Sequence, residues 1–206
     1  MRRLITVVAV AALALLAGAG AASAHVTTQP STATKGTTAE ISFRVPNEEK
    51  SAATTEVQVS LPADHPIASV LPRSMAGWTA DVTTTRLATP LASDDGPVVD
   101  AVSTITWHGG SIASGSYDDF VVLLDPVPDD ADSLVFKAIQ TYDNGDVVRW
   151  IDTDAQAEHP APTVSLVAPA AREAAAPDLF GVTGTVVGLI AGAVAALAWR
   201  RNRPAR

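Results

Sequence analysis

The sequence predicts an all-β fold, an antiparallel β-sandwich over residues 25–167, followed by a C-terminal transmembrane helix. Three observations carry this reading. Residues 25–167 show no convincing 3.6-residue apolar period, whereas several short segments alternate apolar and polar residues as half-buried strands do. Asn144-Gly145 sits between two β-rich arms in "FKAIQTYDNGDVVRWID", the strongest short-range hairpin marker. Leu179 to Trp199 is a run of 21 residues without a charge, and as a helix it reaches about 31 Å, enough for a bilayer core. Short strands between Pro- and Gly-containing turns suit an immunoglobulin- or cupredoxin-like sandwich, with a closed barrel as the alternative.

The elements follow in chain order. Residues 1–24 have a basic start at Arg2 and Arg3, an apolar stretch from Leu4, and Ala22-Ser23-Ala24 at the end. That is the pattern of a signal peptide cut after Ala24. "HVTTQPSTA" and "TTAEISFRVP" flank Lys35-Gly36, a turn signal. "TTEVQVSLP" alternates Val57, Val59 and Leu61 with polar partners, and "AVSTITWHGG" does so less strictly through Val102, Ile105 and Trp107. "DDFVVLLDP" is a continuous apolar run ended by Pro126, which predicts a strand covered on both faces. Counting outward from Asn144-Gly145 as a two-residue turn sets Ile139 opposite Trp150 and Gln140 opposite Arg149. A final strand is expected around "PTVSLV", then a Pro- and Ala-rich linker over residues 168–178. Residues 179–199 are the expected membrane helix and 200–206 a basic tail whose arginines mark the cytoplasmic side, leaving the folded domain extracellular on a single-pass cell-membrane protein. Gly184, Gly188 and Gly192 make overlapping G-x-x-x-G patterns, a face on which two such helices would pair as a homodimer.

Composition narrows the partners. Setting aside the six arginines of the two ends, 8 Lys+Arg of the 14 remain against all 22 Asp+Glu, a formal balance of −14. Such a domain does not suit nucleic acid and favours cations. Cysteine is absent, so neither disulfides nor thiolate ligands are available, and Met75 is the only methionine after residue 24, which excludes a Met-rich Cu(I) site.

Cleavage after Ala24 would make His25 the first residue, with a free amine beside its ring. Amine and Nδ1 together chelate a metal, and two nitrogens from one residue suit Cu(II), which prefers tetragonal N and O ligands. The amine loses its proton easily, its reference pKa being roughly 7.7–8. A frayed chain end is the plainer reading of the same residue. If Lys35-Gly36 is a tight turn, pairing partners sum to about 71, which sets His25 level with Pro46 and beside Asn47-Glu48. Glu48 is then the nearest carboxylate, with Glu40 and Glu49 as substitutes. His108, His65 and His159 read as solvent-exposed, and Trp107 and Trp78 as core.

"AHVTTQPSTATKGTTAEISFRVPNE", "GWTADV", "ITWHGG", "QTYDNGDVVRW" and "EHPAPTVSL" resemble, in order, the YcnI-like family of extracytoplasmic copper-binding proteins. The resemblance runs from His25 to Leu166. It implies a cupredoxin-like sandwich that holds Cu(II) through one N-terminal histidine, His25, with Glu48 as acidic ligand and Trp150 close to the metal. It implies a non-enzymatic metallochaperone or copper-acquisition protein, tethered near a copper transporter or another copper-handling protein. The segment 88–100 is longer than the family pattern. Two other readings stand beside this one. A copper-dependent oxidase would need a second imidazole such as His108, and a metal-free envelope module would need only the fold.

Overall fold

A computed structural model describes residues 25–93 and 96–170; the expected signal peptide (1–24), membrane helix (179–199) and tail (200–206) lie outside the described residues. Twelve strands are present among them: β1 (Thr27–Gln29), β2 (Thr32–Thr34), β3 (Ala39–Pro46), β4 (Thr54–Ser60), β5 (Ser69–Pro72), β6 (Thr79–Leu91), β7 (Val98–Ile112), β8 (Tyr117–Asp125), β9 (Ser133–Val135), β10 (Lys137–Tyr142), β11 (Val147–Trp150) and β12 (Thr163–Val167). They form a four-stranded sheet β1-β3-β8-β5, a five-stranded sheet β11-β10-β4-β7-β6 and a three-stranded sheet β2-β12-β9. All pairings are antiparallel except β2 with β12. Among the described residues both large sheets keep free edges, so the architecture is an open sandwich and not a closed barrel.

The core lies between the two large sheets. Trp107 of β7 meets Phe120 of β8 with ring centroids 5.2 Å apart, and Trp78 meets the same phenylalanine edge-on at 5.0 Å. Phe43 and Phe136 pack edge-on at 5.0 Å, while Leu134, Val164 and Leu166 of the small sheet close the side of this core. Full burial of each such side chain contributes roughly 1.5–3 kcal/mol. Trp107 and Trp78 are therefore packing residues, as expected. A Cβ on Gly110 would stand inside the Trp78 ring, so the indole lies flat on that glycine.

Strand β4 keeps the expected alternation, with Val57 and Val59 buried. Strand β8 does not match its expectation. Phe120, Val122 and Leu124 are buried, but Leu123 is 37% exposed, so the run is covered on one face only. The reason is its place in an antiparallel sandwich, where one face meets the core and the other meets solvent. Within the longer segment 88–100, Leu91 at the end of β6 pairs with Val98 at the start of β7.

The β10–β11 hairpin departs from the expected register by one residue. Ala138 pairs with Trp150 and Gln140 with Val148, not Ile139 with Trp150. Asn144 does not adopt positive φ, whereas Gly145 has φ +90°, so the two-residue type I′ turn is absent. Three residues, 143–145, form the loop instead, closed by Gly145 N–H to the Tyr142 carbonyl (3.0 Å) and Tyr142 N–H to the Asp146 carbonyl (2.9 Å). The Asn144 side chain accepts from the Asp146 N–H at 2.9 Å, which supports its non-left-handed conformation. A one-residue slip turns every side chain of a strand to the other face. Trp150 thus points inward, with Ala138 and Gln140 as neighbours, and is 7% exposed.

Candidate metal centre

Strand β1 is an edge strand, and its first residues are held firmly. Val26 is buried at 2% exposure, Thr28 donates its hydroxyl to the Thr163 carbonyl (2.7 Å), and His25 precedes them half-buried. The pairs Thr27–Arg44, Thr28–Phe43 and Gln29–Ser42 each sum to the expected 71. Continued by two residues, this register sets His25 level with Pro46. The arm that carries it is divided, because β2 leaves for the small sheet before the Thr34–Thr37 turn closes.

Beyond Pro46 the chain turns through Asn47, which is 1% exposed. Its side-chain amide donates to the carbonyls of Ala52 (2.8 Å) and Ile112 (2.9 Å), and its side-chain oxygen accepts from the Glu49 N–H (2.9 Å). Its backbone bonds Ser116 and Gly115 at 2.9 and 2.8 Å. A fully satisfied buried asparagine therefore clamps the turn that displays Glu48 and Glu49, both exposed.

Trp150 joins the two parts. Its ring lies 5.8 Å from that of His25, centroid to centroid, and 5.0 Å from that of His159. Its indole N–H donates to the Gln140 side-chain oxygen at 3.1 Å. One depression of about 390 Å³ borders His25, with Gln29, Asp152 and Pro160 in its wall. A second of about 220 Å³ is lined by Glu48, Glu49, Tyr142, Trp150, Glu158 and His159. His25 and Glu48 thus border different depressions; the Trp150 indole lines that of Glu48 and lies beside the His25 ring. Burial pushes the Tyr142 hydroxyl above its ordinary value, and the charges of Glu49 and then Glu48 add to the effect. The second depression is acidic, and a cation is the charge it favours.

Of the substitutes for Glu48, Glu49 shares its depression, but Glu40 stands at the opposite end of β3, about 20 Å away at 3.4 Å per residue, paired with Arg73. His108 lies on the outer face of the five-stranded sheet, three strands from β11 and so about 14 Å off, and contacts Asp81 at 2.9 Å. His65 contacts Asp130 at 3.2 Å in a separate loop.

The histidine that the structure does bring to the site is His159. The loop 152–160 is closed by Asp152 N–H to the His159 carbonyl (3.1 Å) and Ala161 N–H to the Asp152 carbonyl (2.8 Å), which lays the ring on Trp150. Its Nδ1 is buried without a hydrogen-bond partner. Among the described residues, no three His, Asp or Glu side chains converge closely enough to hold a metal by themselves.

Residues 25–166 match the family described as "Domain of unknown function (DUF1775)". The copper-binding protein CutI of Bacillus subtilis (strain 168) is 30% identical over 141 residues, 67% of this chain; the match spans 61% of CutI's own length. An uncharacterized protein from Nocardia farcinica, whose crystal structure reveals an immunoglobulin-like fold, is 34% identical with a TM-score of 0.53 over 69% of this chain and 98% of that one. That crystallised chain is little more than the matched domain.

Proposed function

The chain belongs to the DUF1775 family, the YcnI-like group, and we propose that it binds copper outside the cytoplasm as a membrane-tethered handling protein, without enzymatic activity. The observation that carries the reading is the His25 ring set against the Trp150 indole, which also lines an acidic depression bearing Glu48. Removal of residues 1–24 would free the His25 amine. Amine and ring Nδ1 then offer two nitrogens to Cu(II), and Glu48 offers an oxygen. Trp150 has only an N–H donor, already given to Gln140, so it serves as a cover that limits water and not as a ligand. Val26 and Thr28 hold the histidine on the sandwich edge, where a partner protein can reach the ion. The tether keeps the exchange close to the membrane.

Two forms of the domain 25–169 test this, one beginning at His25 and one keeping a single residue before it. Titration and electron paramagnetic resonance with Cu(II) should show the extended form at least about tenfold weaker, the equivalent of roughly 1.4 kcal/mol, with an altered spectrum. Equal affinities and spectra would sink the amine-based site. Glu48→Gln is expected to weaken binding without unfolding the domain, since Glu48 is exposed.

A further inference from the structure

We infer that Gln140 is the positioning residue of this site: it fixes the Trp150 indole against His25 and ties that indole to the turn bearing Glu48. The inference rests on the copper reading for its purpose but not for its geometry. Gln140 is 1% exposed, in the middle of β10, where an apolar side chain would be the ordinary occupant. Its side-chain oxygen accepts from the Trp150 indole N–H (3.1 Å). Its amide nitrogen donates to the Pro46 carbonyl (2.9 Å) and to the Thr54 hydroxyl oxygen (2.8 Å). One planar amide thus reaches the tryptophan, the last residue of β3 before Asn47-Glu48, and the first residue of β4. The amide has no freedom to turn over, because an oxygen at the Pro46 carbonyl would meet another acceptor. Its plane is therefore set by Pro46 and Thr54, and the indole follows. An indole without that bond loses the contact that selects its χ2, and the face it shows to His25 is no longer fixed.

Indole exchange in the metal-free domain 25–169 reads this directly. In the wild type the Trp150 indole N–H is expected to exchange slowly, and its ring protons to lie within nuclear Overhauser range of the His25 ring. Gln140→Leu should speed that exchange by about tenfold and abolish the ring contact, the scale of one lost hydrogen bond. The Trp78 indole, bonded to Asp118 at 3.2 Å on another part of the sandwich, should not change and serves as the internal control. Gln140→Glu keeps an oxygen for the indole but sets another against the Pro46 carbonyl, so exchange should be faster than in the wild type and slower than in Gln140→Leu. If Gln140→Leu does not fold, Thr54→Val removes one anchor of the amide and should speed exchange partway; no change there overturns the proposal. Unchanged exchange and ring contact in Gln140→Leu overturn it too, as does equal acceleration in Gln140→Glu. With Cu(II) added, Gln140→Leu should bind about tenfold more weakly with an altered resonance spectrum. An unaltered spectrum, with the ring contact gone, overturns the link to the metal. A wild-type domain that binds no Cu(II) overturns the copper reading alone, and the metal-free measurements still decide Gln140.

Discussion

Replacing Asn47 by aspartate tests how the Glu48 turn is held. The two side chains have the same shape, so packing is conserved, but the carboxylate has no N–H to give. The carbonyls of Ala52 and Ile112 each lose a partner within 3 Å and face a negative charge instead. Each orphaned buried acceptor costs about 1–3 kcal/mol, so Asn47→Asp should destabilise the domain by roughly 4 kcal/mol at neutral pH. That is a large share of the 5–15 kcal/mol typical of a whole domain. Protonation returns one donor, so the folded state raises the introduced group's pKa above its ordinary value near 3.9. The sign follows: stability relative to wild type is best below about pH 4 and is lost as pH rises above it, where the unfolded chain ionises first. Urea denaturation of the domain at pH 7 and pH 4 measures both effects. A loss under about 1 kcal/mol at pH 7, or a deficit independent of pH, would refute the clamp.

Three further expectations follow from the same structure. Tyr142 has a raised pKa through burial and the nearby Glu49 and Glu48, so stability present below pH 10 should fall as pH rises beyond it; Tyr142→Phe should flatten that fall in denaturation at pH 9 and 11. Gly110→Ala places a methyl inside the Trp78 ring and should cost about 1–3 kcal/mol by overpacking, largely relieved when combined with Trp78→Leu, as a double-mutant cycle by urea denaturation would show. Trp150→Phe leaves the Gln140 oxygen without its donor and should lower the unfolding free energy by about 1–3 kcal/mol in the metal-free domain, again read by urea denaturation.

Much of the sandwich is legible along the chain, because alternation in "TTEVQVSLP" and the Lys35-Gly36 turn are local signals. That turn even yields the β1–β3 register, since the sum of 71 depends only on where the chain reverses. The division of the arm between two sheets is not legible, for nothing near Pro30 states which distant strand β2 will join. The Asn-Gly marker located the second hairpin and misplaced its register. Asn144 stays out of the left-handed region because its own side chain bonds Asp146, and a type I′ turn needs both central residues there. In "KAIQTY" the apolar Ile139 looks like the inward residue, yet Gln140 is the buried one because all its polar atoms find partners across three strands. His159 carries no local signal at all. Its place depends on a loop closure between residues seven apart and on a tryptophan from another strand. The membrane segments and the ligand roles of His25, Glu48 and Trp150 rest on sequence and resemblance.

The anchoring of β1 has an entropic consequence. Fixing the backbone of one residue costs about 1–2 kcal/mol, and a cation captured by a loose chain end would have to meet that cost for each residue it ordered. Here Val26 in the core and the Thr28 hydroxyl on Thr163 have already removed that freedom during folding. About 1.4 kcal/mol corresponds to a factor of ten in affinity, so a binding event at His25 is spared a penalty of one or more decades. Under the proposed function the edge strand is a preorganised mount, and weakening it at Thr28 or Val26 should show up as weaker Cu(II) binding in titration before it shows up as unfolding.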